Sequence, residues 1–281
     1  MKAFDDLCHN KKPSLVVVFG DVNSTLACSL VAKKLGISIA HVESGLRSGD
    51  ANMPEEVNRI LTDHISDYLF ATTEYAVDNL VSEGISTEKI HAVGNVMIDT
   101  IKTQQPEIEQ SVIVKKLGFE TREYNLLTLH RPSNVDNKDA LSSILKKIKK
   151  INTEKKWVFP IHPRTKKKIE QFNFEGLLDG FIVIPPVGYN DFSKLTKCCY
   201  SVWTDSGGIQ EECMYYGVPC RTIRENTERP ETIIHGTNKL LSLNDDFENE
   251  YRLLASEETL ESDYWDGLAS IRIAQIIRKN F

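Results

Sequence analysis

The stretch LVVVFGDVNSTLACSLVAKKLGISIAHVE, residues 15–43, decides the fold class. Leu15–Phe19 is an unbroken apolar run of strand length, the pattern of a strand buried on both faces. Thr25–Leu35 carries helical spacing, Gly36 stops it, and Ile37–Val42 is the next apolar strand. A strand, a crossover helix and a second strand make the unit that sets two strands in parallel. The rhythm continues. Pro54–Ile65 reads as a helix, Tyr68–Ala71 as a strand, Glu74–Glu83 as a helix ended by Gly84, and Ile90–Val93 as a strand. Residues 103–123 break the pattern and read as a linker. Beyond them, strands are expected at Asn125–Leu129, Trp157–Pro160, Phe181–Ile184, Ser201–Thr204 and Cys220–Ile223, with helices between, and residues 247–281 read as helical. The expected architecture is α/β, with a Rossmann-like domain over residues 1–105, a second over 120–260, a closing helix over 261–281 and a cleft between the domains. The first domain shows four strands and opens on a helix, whereas doubly wound sheets usually carry five or six strands.

Composition narrows the function. The chain has 281 residues, 41% hydrophobic and 26% charged, with a formal net charge of −6. A nucleic-acid binder would show a basic excess, so any anion must be held locally by a few arginines and N–H groups. No apolar run approaches the ~20 residues of a membrane span, and the opening MKAFDDLCHNKKPS lacks the apolar core of a signal peptide. Six cysteines without CxxC spacing read as buried thiols of a reducing cytoplasm, not as disulfides or zinc ligands.

In open α/β sheets ligands bind beyond the carboxyl ends of the strands. Asp21 follows LVVVFG and Glu43 ends the next strand, so the two carboxylates rim one crevice if the strands are neighbours about 4.8 Å apart. Pro54 suits the first position of a helix. Val57, Ile60, Leu61, His64 and Ile65 recur at helical spacing and are expected to form its buried face. That register turns Glu55 away from the core, in the first turn, where the helix dipole favours an ionised carboxylate. Glu55 is then either a base beside the crevice or one half of a surface Glu55–Arg59 pair.

In the second half, LLTLHRPSN puts His130 at a strand end, and FPIHPRT repeats the arrangement with His162 and Arg164. In TDSGGIQEE, residues 204–212, a strand runs straight into Ser206-Gly207-Gly208 and a helix begins. Glycines permit close approach of a ligand, and the free N–H groups of a helix start bind phosphate; the plainer use is a Ser/Gly helix cap. Glu212, one turn in, can accept ribose hydroxyls. Arg224 and Arg229 can clamp a diphosphate or pair with Glu228 or Glu231. Phe192 and Tyr189 can stack on a base or pack in the core.

Taken in order, GD-x-NST, HVESGLRS, MPEE-x-NR, TLHRPSN, HPRT, TDSGGIQEE and TERPE resemble the UDP-N-acetylglucosamine 2-epimerase family, in its non-hydrolysing bacterial and archaeal branch, over nearly the whole chain. The resemblance implies a GT-B-like fold of two Rossmann-like parallel-sheet domains with the first N-terminally truncated. It implies C2 epimerisation of a UDP-2-acetamido sugar, UDP-GlcNAc to UDP-ManNAc, by elimination and re-addition of UDP. It assigns catalytic positions to Asp21, Glu43, Glu55 and His130, and UDP-binding positions to Phe192, Ser206, Gly207, Gly208, Glu212 and Arg229. No cofactor and no metal are implied. The expected partners are the UDP-sugar and a second copy of the chain, with no nucleic acid and no membrane. HRPSN carries Ser133 where the family's HR-x-EN motif has Glu, which admits a UDP-2,3-diacetamido-uronic acid as substrate. A chain lacking the opening strands is expected to expose the apolar edge of LVVVF and to bind UDP but turn over poorly. A truncated, non-catalytic UDP-sugar binder and a GT-B glycosyltransferase are the competing readings.

Overall fold

The computed structural model describes residues 1–256 and 265–281, and the chain divides into two compact units, Met1–Lys102 with Glu261–Phe281, and Thr103–Leu260. Residues 257–264, and with them the start of the expected closing helix, lie outside the described residues.

The first unit is a four-stranded parallel sheet in the order β1 (Leu15–Phe19), β2 (Ser38–Ser44), β3 (Tyr68–Ala71), β4 (Ile90–Ala92). Helices α1 (Lys2–Lys11), α2 (Asn23–Lys34), α3 (Pro54–Ile65), α4 (Glu74–Ser82) and α5 (Val96–Gln110) alternate with the strands. Side chains alternate across the strands, so each face gathers its own core. Val16, Val18 and Ile39 pack with Ala32 of α2, and Leu69 and Ala71 pack with Ala76 and Leu80 of α4. Ala40, Val42 and Phe70 meet Ile273 of the last helix, Ala269–Asn280. Asp99 on α5 caps that helix, accepting the N–H groups of Ala269 and Ser270 at 3.2 and 2.6 Å. β1 is the sheet's edge, and Phe19 on it is 61% exposed, with Val17 also exposed.

The second unit is a six-stranded parallel sheet in the order β10-β9-β8-β5-β6-β7, built from β5 (Tyr124–Thr128), β6 (Lys156–Pro160), β7 (Phe181–Ile184), β8 (Ser201–Thr204), β9 (Cys220–Thr222) and β10 (Asn238–Leu240). Leu127, Trp157, Phe159 and Trp203 form one face with Leu141, Ile144, Leu145 and Ile148 of helix Lys138–Lys150. Leu126, Val158 and Val202 form the other with Leu195 and Cys213 of helices Tyr189–Cys198 and Gly207–Tyr216. All six cysteines are free, and burial pushes the thiols of Cys199 and Cys213 up.

One expectation fails here. The segment 103–123 is not an open linker. Most of it continues α5 and forms a further turn at Ile113–Lys116. Ile98, Ile101 and Ile108, all fully buried, supply the helical stripe, and Pro106 is carried inside the helix.

Candidate active site

Parallel pairing sets Phe19 beside Val42, so the turns after β1 and β2 share one end of the sheet. Asp21 and Glu43 both lie there. Glu43 has a left-handed backbone, φ 68°, at a register shift between Val42 and Ser44. Its side chain turns toward the β1 turn, since a Cβ built on Gly20 would stand 3.4 Å from Glu43 Oε2. The Asp21 carboxylate pairs with Arg59 Nη1, and its carbonyl accepts Asn58 Nδ2 at 2.8 Å.

Arg59 and Asn58 belong to α3, which does not bury the face its apolar spacing predicts. The face α3 buries is Glu56, Asn58, Arg59, Thr62 and Asp63, while Val57, Leu61 and His64 are exposed. The helix turns its polar side to the strand ends because those residues hold one another there. Arg59 donates to Glu56 Oε2 from Nε at 2.9 Å and Nη2 at 2.7 Å. Glu56 also accepts the N–H groups of Ser48 at 3.0 Å and Gly49 at 2.8 Å. Burial opposes the charge on Glu56, but these donors outweigh it and hold the carboxyl below the ordinary glutamate range. The alternative of a surface Glu55–Arg59 pair is not formed among the described residues, because Arg59 is turned inward to Glu56 and Asp21. Glu55 is half-buried in the first turn and has no side-chain hydrogen bond or ion pair among the described residues. Below this rim, His41 and Asp63 are fully buried against each other, Nδ1 to Oδ1 2.6 Å.

In the second unit His130 follows β5 and Asp205 follows its neighbour β8. The buried Asp205 carboxylate accepts the backbone N–H groups of His130 at 3.0 Å and Arg131 at 2.9 Å, and Asn134 Nδ2 at 3.2 Å. Its Oδ1 lies 3.2 Å from His130 Nδ1. It therefore fixes both the loop and the ring. Burial lowers the His130 pKa, and His162, Arg131 and Arg164 add to this against the pull of Asp205, so the imidazole is neutral near pH 7.

Helix Gly207–Tyr216 opens directly after β8. Ser206 precedes it, and among the described residues its hydroxyl makes no capping bond. A Cβ on Gly207 would come within 2.4 Å of Glu228 Oε1 and 2.7 Å of Arg229 Nη1. Glycine is what lets that ion cluster lie against the helix start. Arg229 pairs with Glu228 and, through Nε at 2.9 Å, with Glu211; Arg224 pairs with Glu228 at 2.8 Å. Glu212 is buried with Oε2 lacking a hydrogen-bond partner among the described residues, and burial, then Glu211, pushes its pKa up to about 7. Phe192 is half-buried on the core of its own unit, and Tyr189 is the exposed aromatic of that helix.

The structure thus sets Asp21 and Glu43 at one sheet end with α3 against them, and gathers Ser206, Gly207, Glu228 and Arg229 at one helix start. His130 belongs to the second unit, so it is not part of the carboxylate rim's own unit. Glu56, Arg59, Asp63, His41 and Asp205 are not among the residues the sequence points to. Glu56 and Arg59 stand three positions apart in MPEEVNR and Asp205 adjoins the Ser-Gly-Gly turn in TDSGG, which is a signal, whereas nothing local marks His41 and Asp63 as partners.

Two parallel sheets wrapped in helices, one ending in carboxylates and the other in a Ser-Gly-Gly helix start, define a GT-B-like α/β protein. The chain belongs to the UDP-N-acetylglucosamine 2-epimerase family, whose model matches residues 1–278. It is 44% identical over 282 residues to the UDP-N-acetylglucosamine 2-epimerase of Methanocaldococcus jannaschii, a match covering 95% of this chain and 76% of that one. It is 40% identical over 282 residues to the UDP-2,3-diacetamido-2,3-dideoxy-D-glucuronate 2-epimerase of Pseudomonas aeruginosa, covering 98% and 77%. The crystal structure of the M. jannaschii UDP-GlcNAc 2-epimerase in complex with UDP-GlcNAc and UDP matches with a TM-score of 0.92 at 43% identity, over 99% of this chain and 79% of that one. The chain spans roughly three quarters of the length of these relatives, 76 to 79%.

Proposed function

We infer that the protein interconverts the C2 epimers of a UDP-2-acetamido sugar, UDP-GlcNAc and UDP-ManNAc. What supports this is the pair Asp21 and Glu43 at the strand ends of one unit, with Glu55 in the first turn of the helix whose Arg59 holds Asp21, in a chain whose other unit presents a Ser-Gly-Gly helix start backed by arginine. A C2 hydrogen with no adjacent carbonyl is barely acidic. The C1–O bond to UDP must therefore break well ahead of proton removal, its electron pair leaving with UDP and positive charge developing on the ring. Carboxylates stabilise such charge, and one of them takes the C2 proton. The product is a 2-acetamidoglucal and UDP. Re-addition of UDP at C1 with protonation of C2 on the opposite face gives the epimer.

The roles divide by environment. Asp21, locked to Arg59, is fixed in place and suited to stabilising the ring cation. Glu55, half-buried and without a side-chain partner among the described residues, is the one to take or return a proton. Glu43 stands across the same sheet end and serves the other face. Ser206, the N–H groups at Gly207 and Gly208, and Arg229 take the diphosphate. Glu212 accepts ribose hydroxyls, His130 meets the leaving phosphate, and the aromatic pair Tyr189 and Phe192 lies on the base side.

The 40% identity to a UDP-2,3-diacetamido-2,3-dideoxy-D-glucuronate 2-epimerase, with Ser133 in HRPSN, gives a second sugar to test: the same C2 chemistry on a ring changed at C3 and C6. Incubating the chain with each nucleotide sugar in deuterated water, and following the C2 proton by NMR, separates them. Epimerisation washes deuterium into C2 of the true substrate. A glycosyltransferase or a non-catalytic binder leaves C2 protonated.

A further inference from the structure

Glu43 is a non-glycine residue in left-handed backbone at a sheet irregularity. Such a residue persists only where its surroundings over-determine it. The buried groups on either side of it do this. Asp63, from α3, is fully buried and grips both flanks. Its Oδ1 meets His41 Nδ1 at 2.6 Å, two residues before Glu43. Its Oδ2 accepts the Gly45 N–H at 3.1 Å, two residues after. Gly45 is itself pressed against α4, where a Cβ would stand 2.3 Å from Ala76 O. His41 extends the grip to the turn that carries Asp21, for its Nε2 lies 2.9 Å from Gly20 O.

The protons follow from this geometry. A carbonyl oxygen only accepts, so Nε2 carries hydrogen. Asp63 is held ionised by Arg47 Nη1 at 2.8 Å on its second oxygen, so Nδ1 carries the other hydrogen and His41 is an imidazolium. The groups facing this pair are Glu43 from β2, Arg47 from the following loop, and Glu83 beyond α4, which pairs with Arg47 at 2.6 Å. His41, Asp63, Arg47 and Glu83 thus form a chain of alternating charge, buried as far as Arg47 and half-buried at Glu83.

We propose that Asp63 and the His41 imidazolium are positioning residues for Glu43: one carboxylate clamps the backbone on both sides of it, and one imidazolium ties it to the Asp21 turn. The proposal rests on the reading that Glu43 acts at the sugar ring. Neither residue touches substrate. Their work is to keep a left-handed glutamate from relaxing to ordinary strand geometry and to hold Asp21 and Glu43 in register despite their like charge.

Three measurements test it on the full chain. Nitrogen NMR of histidine-labelled protein at pH about 8, above the ordinary histidine range, is expected to show His41 protonated on both nitrogens; a neutral His41 overturns the proposal. Asp63→Asn is expected to slow deuterium wash-in at C2 by about 10²-fold, the scale of an ångström-sized misplacement, while calorimetric UDP affinity stays within about twofold. An exchange rate equal to wild type in folded Asp63→Asn overturns it. Finally, Glu43→Gly removes the left-handed strain. It is expected to raise the melting temperature by about 2–4 °C in wild type and to give no gain in the Asp63→Asn background, where the clamp is gone. Equal gains in both backgrounds overturn the proposal. If Asp63→Asn does not fold, His41→Gln, which keeps an amide donor for Gly20, replaces it in both comparisons with the same expected outcomes. If wild type itself exchanges nothing at C2, the functional reading falls, and the histidine charge and the stability comparison still decide the positioning claim.

Discussion

Replacing Asp205 by alanine tests whether the His130 loop is built by one buried carboxylate. The side chain is fully buried and serves three donors: the N–H groups of His130 at 3.0 Å and Arg131 at 2.9 Å, and Asn134 Nδ2 at 3.2 Å. Asn134 Nδ2 keeps a second acceptor, Ile223 O at 2.9 Å, so two backbone donors are orphaned. Each orphan costs about 1–3 kcal/mol, with bonds to a charged acceptor in the upper part of that range. Both donors are only part-buried, and water entering the space offsets some of the loss. The expected cost is about 3 kcal/mol. Urea unfolding followed by tryptophan fluorescence reads the right part of the molecule, because Trp157 and Trp203 pack edge to face at 5.7 Å inside the same unit. Asp205→Asn keeps one acceptor and should lose about half as much. A shift in the Asp205→Ala midpoint worth less than about 1 kcal/mol would refute the account of this loop.

Three further outcomes are expected. Arg229→Ala should weaken UDP by about 1.5–3 kcal/mol, measured by calorimetry, and an unchanged affinity removes Arg229 from the diphosphate site. Glu55→Gln should leave stability within about 0.5 kcal/mol, because the side chain has no partner to lose among the described residues, yet slow C2 exchange by about 10²-fold or more; exchange at the wild-type rate excludes Glu55 as the acid or base. For Glu212 the folded pKa of about 7 stands above the ordinary glutamate value, so the folded state holds the proton more tightly. Its favourable contribution is complete below the unfolded value and is lost as pH rises through about 7. Glu212→Gln cannot ionise, so its stability relative to wild type should grow by about 3 kcal/mol from pH about 4 to about 8; urea midpoints that keep a constant difference contradict this.

The parallel sheets were legible because their strands are short apolar runs with no alternation, and LVVVF, YLFA and FIVI fall where they were read. β10 was not, since Asn238–Leu240 reads NKL and carries no apolar run. Pro106 hid α5: a proline normally ends a helix, and here Ile98, Ile101 and Ile108 bury enough surface to carry the helix past it. The misread face of α3 has a different origin. Periodicity ranks Val57 and Leu61 as core, but Arg59 and Asp63 are drawn inward by ion pairs with Asp21, His41 and Arg47, partners far away in sequence, Asn58 by its hydrogen bond to the Asp21 carbonyl, and Glu56 by Arg59 and the N–H groups of Ser48 and Gly49. Local patterning fails where a site is assembled, and there the charge placement in MPEEVNR and HVESGLRS was the better guide. The candidate carboxylates were readable as strand-end positions. Their supports were not, because a buried ion pair between residues 41 and 63 leaves no periodic trace.

Removal and return of a proton at C2 of a UDP-2-acetamido sugar leaves an isotopic trace, so wash-in of solvent deuterium reads the proposed reaction itself. Purified protein is incubated with UDP-GlcNAc in deuterated water and the C2 and anomeric protons are followed by NMR. Deuterium appearing at C2 together with UDP-ManNAc resonances, and both abolished in Glu55→Gln, is the predicted result. UDP-GlcNAc that remains fully protonated at C2 while calorimetry shows UDP bound would contradict it.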